Sequence, residues 1–141
     1  MNIQLLSLPN DRAAASALLN RCGVRLTPQL DELLGIFEGD ELVACAGRRS
    51  NVIQCAAVSP EVRGEGLLNM LVSQLFTTIR TMGYAGAFVF TKPTTAALFL
   101  SLGFFLLAQT EEAVLLYSQR DGVERWAATL PQFGNVVPNG E

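Results

Sequence analysis

A single mixed α/β domain is the fold class the sequence predicts, on three observations. The chain has 141 residues, half of them apolar and 16% charged, which suits about one domain with a real core. Leu67, Leu68, Leu71, Leu75, Ile79 and Met82 recur at three- and four-residue spacing, the stripe of an amphipathic helix. Short apolar runs bounded by Gly, Pro, Asn and Asp lie on both sides of that stripe, as strands do.

From the N-terminus, residues 2–8 (NIQLLSL) form a first short strand, which Pro9 and Asn10 break. DRAAASALLNRCG follows as a helix closed by Gly23. Thr27 as N-cap and Pro28 at the first helical position predict a short helix over 28–33. LLGIFEGDELVACAGRR places two apolar runs around Glu38-Gly39-Asp40-Glu41, the pattern of a hairpin. Ser50-Asn51 turns the chain into NVIQCAAVS, another strand.

Then comes VSPEVRGEGLL, residues 58–68, and the long helical stripe, which Gly83 closes. AGAFVFT, residues 85–91, is a continuous apolar run of the kind buried on both faces. TTAALFLSL, residues 94–102, is helical and stops at Gly103, with Thr94 or Thr95 as its N-cap. FFLLAQ and AVLLYSQ form a last strand pair around Thr110-Glu111-Glu112, and a short helix fits Gly122 to Leu130. Residues 131–141 lose periodicity and gain Pro, Gly and Asn, so the expected division is a domain over 1–130 and a linker-like tail over 131–141.

Composition narrows the function classes. A net charge of -3 offers no basic stripe for a nucleic-acid backbone. There is no histidine, so the commonest general base and zinc ligand are both missing. Cys22, Cys45 and Cys55 are odd in number and lack CxxC spacing, the usage of reduced thiols in a cytoplasmic protein. The N-terminus has no signal-peptide pattern, and Ser101, Gly103 and the threonines interrupt the longest uncharged run, so no membrane span is expected.

Chemistry concentrates in the loop before the long helix. A Gly-rich turn that feeds a helix leaves the first helical N–H groups without internal acceptors, at the positive end of the helix dipole. Gly64 and Gly66 would let an anion approach that backbone, and the Arg63 fork suits phosphate oxygens. A tight turn with glycines for steric reasons and a solvated arginine explains the same residues equally well. The loop lacks the GK[ST] ending of a Walker A motif and the third spaced glycine of a Rossmann fingerprint.

Arg63-Gly64-Glu65-Gly66-Leu67-Leu68 resembles the [QR]-x-x-G-x-[GA] loop of the GNAT acetyltransferases, and LFLSLGF, residues 98–104, is similar to that family's FYxxxGF segment. The likeness runs over about residues 3 to 118. A narrower resemblance joins NVIQCAAVSPEVRGEGL, FTKPTTAALFLSLGF and VLLYSQRDGVERW to the N-terminal GNAT-like domain of the [citrate (pro-3S)-lyase] ligases, with FTKP the most specific element. The resemblance implies the GNAT (acyl-CoA N-acyltransferase) fold, a mixed and mostly antiparallel sheet flanked by helices.

It also implies acetyl-CoA, CoA or the CoA-like prosthetic group of an acyl carrier as ligand. Ala57 and Val58, the loop Arg63, Gly64, Glu65, Gly66, Leu67 and Leu68, and Thr95 and Phe99 are the implied contacts. In the narrower family the acyl carrier protein of citrate lyase is the partner, acetate is attached to its thiol at the expense of ATP, and a following nucleotidyltransferase domain does the ATP chemistry.

Two positions depart from the broad pattern. Leu68 stands where Gly or Ala is usual, and Phe99 stands where many of these acetyltransferases have a tyrosine that protonates the leaving thiolate. No Asp, Glu or His lies in residues 52–58 or 85–91, so no general base is evident. Glu38, Glu41, Glu111 and Glu112 read as solvated turn carboxylates, and Cys55 as either a core thiol or a weak nucleophile. Lys92, the single lysine, either reaches for an anion or caps a strand in solvent. Three readings stay open: an acetyl-CoA-dependent N-acetyltransferase, a binding module for a CoA-like arm, and a docking surface without a ligand.

Overall fold

The run LLGIF cannot alternate apolar with polar, because both faces of its strand are covered. In the computed structural model, which describes residues 2–118, it lies in β2 (Glu32–Glu38). Leu33 packs with the cluster around helix α1 (Pro9–Arg21), whereas Leu34 and Ile36 pack on the other face, against helix α2 (Leu67–Thr81). Between them, a Cβ on Gly35 would fall 2.7 Å from both Leu6 Cδ1 and Leu42 Cδ1, so the glycine lets these two leucines close over the strand.

The strands are β1 (Ile3–Leu5), β2, β3 (Glu41–Arg49), β4 (Val52–Val58), β5 (Phe88–Thr91), β6 (Phe105–Gln109) and β7 (Val114–Tyr117), with helix α3 (Pro93–Ser101) between β5 and β6. They form one sheet in the order β1-β2-β3-β4-β5-β7-β6, antiparallel everywhere except between β4 and β5. This is the mixed sheet flanked by helices that the sequence predicts. The final strand pair forms, but β7 inserts between β5 and β6, a placement set by non-local pairing.

The helical stripe of α2 buries Leu67, Leu68, Leu71, Val72, Leu75 and Ile79. Each such side chain contributes about 1.5–3 kcal/mol of transfer free energy. Met82 is the exception: it is the C-cap and is half exposed, because the helix ends one residue earlier. Gly23, Gly83 and Gly103, each predicted to stop a helix, adopt φ of +77°, +100° and +99°.

Four local expectations are corrected. Pro9 starts α1 instead of breaking the chain, since a first-turn proline forgoes an N–H that has no helical acceptor anyway. The helix expected over 28–33 is a turn running into β2. Six residues nucleate a helix poorly, and the Asp31 N–H donates to Arg48 O at 2.8 Å across the sheet instead. The run 85–91 is a strand only from Phe88, and it is not buried on both faces, because Phe90 is 52% exposed. The N-cap of α3 is Lys92, with no side-chain cap, so neither Thr94 nor Thr95 serves there. The helix expected at Gly122 to Leu130 and the tail over 131–141 lie outside the described residues. No helix among the described residues is long and apolar enough to cross a membrane.

Candidate functional site

β4 and β5 pair at only two positions, Val52 with Phe88 and Ile53 with Val89. The cause sits on the other edge of β4. Cys45 pairs with Ala57 and Gly47 with Gln54, so Cys55 and Ala56 together oppose the single residue Ala46. This is a β-bulge, which bends the strand that carries it. Its first residue, Cys55, holds φ at +57°, a left-handed conformation uncommon for any residue but glycine. β4 therefore diverges from β5 after Ile53. One cavity opens in that gap, and a smaller one lies next to it, between β4, the loop before α2 and the start of α3.

The smaller cavity, about 240 Å³, is lined by Ala57 and Val58 of β4, Arg63 and Gly64 of the loop, Leu68, and Thr95 of α3. Six of the ten residues implied by resemblance are thus brought to one place. Gly66 is the N-cap of α2 at φ +79°, and no side chain caps that helix. Glu65 is exposed and Leu67 is buried in the core, both outside the cavity wall. Leu68 is buried at 3% exposure and still borders the cavity, so it points into the core without filling the space.

Phe99 is corrected as a contact residue. It has no exposed surface and sits edge-to-face on Phe104, ring centroids 5.7 Å apart, because the α3 face that bears it turns into the core.

Both reasons considered for the glycines, a tight turn and room beside the backbone, have a counterpart in the geometry. Gly64 and Gly66 adopt φ of +89° and +79°, and a Cβ at either would meet no protein atom within 4 Å. Backbone conformation requires them, and the space beside them is open. Below the loop, buried Ser59 is fixed by its N–H donating to Val43 O at 2.7 Å, while its hydroxyl donates to Glu61. That hydroxyl above all, with smaller help from Arg21 and Arg63, holds the Glu61 carboxyl below the usual carboxylate range.

The larger cavity, about 680 Å³, meets the smaller one at Ala56 and Thr94, which line both. Thr27, Gln54 and Cys55 form part of its wall. Thr27 N–H donates to Cys55 Sγ at 3.4 Å, and Thr27 Oγ1 donates to Gln54 Oε1 at 3.4 Å. Phe90 faces this space, which explains its exposure. Glu111 and Glu112 are exposed turn residues, as predicted, and also border this cavity. Sequence reasoning missed Arg25, Thr27, Gln54 and Phe90 as cavity residues. Their meeting depends on contacts between distant segments and leaves no local signal.

Lys92 makes a contact that neither expectation included. Half-buried, it donates from Nζ to Gly23 O at 2.8 Å, tying the start of α3 to the end of α1. All three cysteines are free thiols, Cys45 and Cys55 buried and Cys22 half-buried. Burial first, then the neighbouring Cys55 and Cys22, pushes the Cys45 thiol from 9.0 up to about 12.

That shift has a measurable consequence. Unfolded Cys45 ionises near pH 9 and the folded thiol does not, so the stability is intact below that pH and is lost as pH rises towards 12. The expected slope is about 1.4 kcal/mol per pH unit. Urea unfolding of Cys45→Ala should lose that part of the alkaline slope. Equal slopes for the two proteins between about pH 9 and 11 would refute the assignment.

Comparison with known proteins adds the lineage. No family model matches the chain. A [citrate [pro-3S]-lyase] ligase of Klebsiella pneumoniae is 32% identical over 132 residues, 93% of this chain and 39% of that protein. The chain spans between 30% and 39% of the length of the three curated ligases it matches.

Among solved structures, the ribosomal-protein-S18-alanine N-acetyltransferase of Escherichia coli superposes with a TM-score of 0.64, at 18% identity. That match covers 82% of this chain and 91% of that one. N-acetylglutamate synthase of Neisseria gonorrhoeae, solved with coenzyme A and L-arginine, gives 0.63 at 17% identity, covering 84% of this chain and 32% of that one. The chain is therefore a GNAT-like domain: it has the acyl-CoA N-acyltransferase fold, and over nearly all its length its sequence is similar to part of the [citrate (pro-3S)-lyase] ligases.

Proposed function

We propose that the domain holds a CoA-type molecule, acetyl-CoA, CoA or the CoA-like arm of an acyl carrier, with its diphosphate at the N-terminus of α2. The observation that carries this reading is the uncapped start of that helix, beside a cavity with Arg63 at its rim. Arg63, Gly64 and the amides that follow take the diphosphate. The chain of the ligand then runs along Ala57, Val58 and Thr95 into the gap between β4 and β5. Likeness to the citrate lyase ligases favours the prosthetic arm of that enzyme's acyl carrier as the physiological ligand, presented to a separate ATP-handling domain.

Calorimetry with acetyl-CoA, CoA and dephospho-CoA tests the reading, and all three should bind. Arg63→Ala removes a charged hydrogen bond worth about 1.5–3 kcal/mol, so affinity should fall at least about tenfold. The wild-type affinity should weaken with salt, as expected of a surface charge on phosphate. No binding up to about 1 mM ligand, or unchanged affinity in the variant, would remove the loop from the site.

The larger cavity favours a second reading, direct N-acetylation of an amine. An acceptor placed there would face a thioester emerging from the smaller cavity. β4 and β5 offer no carboxylate to take the amine's proton, and Phe99 has none to give. Release of CoA thiol from acetyl-CoA with an amine panel would establish this reading. Binding without release leaves the module.

A further inference from the structure

The single lysine has a placement that neither reading uses. Lys92 Nζ lies over Gly23, close enough that a Cβ on that glycine would be 2.5 Å away. Residues on the two sides of this contact mark the junction of the two cavities. Cys22 borders the smaller cavity and Gly23 the larger, while Thr94 borders both. Lys92 lines the larger cavity, as does Gly23, on which its ammonium rests, and a thioester threaded from the smaller cavity would lead there.

We propose that Lys92 is a self-acylation site, the amine that meets the acyl group of a thioester bound to this domain. The inference rests on the proposed binding of a CoA-type ligand. In the reaction the neutral amine attacks the thioester carbonyl and the C–S bond breaks. CoA leaves as the thiol, the nitrogen gives up a proton, and Lys92 becomes an amide. Acylation removes the ammonium charge while leaving one N–H, so a bond to Gly23 O can survive and the modified side chain occupies the larger cavity.

The full chain is incubated with acetyl-CoA and followed by intact mass and peptide mapping, with CoA binding measured separately by calorimetry. One acetyl group per chain is expected, on the peptide that contains Lys92. The rate should saturate with acetyl-CoA and exceed, by about tenfold or more, that of a synthetic peptide spanning residues 88–96. Lys92→Arg should take up none at this position.

CoA binding without acetylation of Lys92 would overturn the self-acylation site and leave the binding function standing. Acetylation that is unsaturable and no faster than the peptide would overturn it as background chemistry. Failure to bind CoA at all would overturn both.

Discussion

Gly66→Val should abolish most binding of CoA while the domain still folds. At φ +79° a β-branched residue is strained by about 1–3 kcal/mol, a cost a domain with several times that stability survives. Rotating the N-cap of α2 relieves that strain, and it turns away the Leu67 and Leu68 amides to which the proposed diphosphate would bond. Two charge-assisted hydrogen bonds lost in this way correspond to a fall in affinity of roughly a hundredfold or more.

Gly66→Asn separates conformation from space. Asparagine tolerates the left-handed region, and its Cβ would meet no protein atom within 4 Å. If Asn binds CoA nearly as the wild type does, the loop conformation is what matters. If Asn fails as Val does, the ligand lies against the Gly66 Cα. A folded Val variant with undiminished affinity would rule out a diphosphate at this helix start.

The parts of this architecture that were legible in the sequence are those with a local physical signal. The α2 stripe was readable because helical period survives any tertiary context, and Gly23, Gly83 and Gly103 because only glycine takes their backbone angles cheaply. The hairpin turn at Gly39-Asp40 was readable for the same kind of reason. By contrast, the opening between β4 and β5 depends on a bulge whose first residue is a cysteine, and nothing in NVIQCAAVS marks Cys55 as left-handed. Phe90 looked like core because an apolar run carries no record of which neighbour has moved away.

Lys92 and Gly23 are 69 positions apart, so their bond had no trace in either local sequence. The site as a whole was half readable. The loop announced itself through its glycines, whereas the larger cavity, assembled from α1's exit, β4, β5 and the β6–β7 turn, did not.

Phe99 is where resemblance and packing disagree, and substitution decides between them. Phe99→Ala should destabilise the domain by about 3–5 kcal/mol, because a fully buried ring and its edge-to-face contact with Phe104 leave a cavity that its surroundings fill poorly. Denaturant unfolding reads this directly, and a loss below about 1 kcal/mol would mean the ring is not core. Phe99→Tyr asks the chemical question. If the ring is as enclosed as its zero exposure indicates, the added hydroxyl is buried without a partner, and the variant loses about 1–3 kcal/mol and gains no acetyl transfer. If instead the tyrosine variant keeps its stability and releases thiol from acetyl-CoA in the presence of an amine, the hydroxyl has reached the ligand. The position would then be competent for a general acid, a proton that phenylalanine withholds from a leaving thiolate.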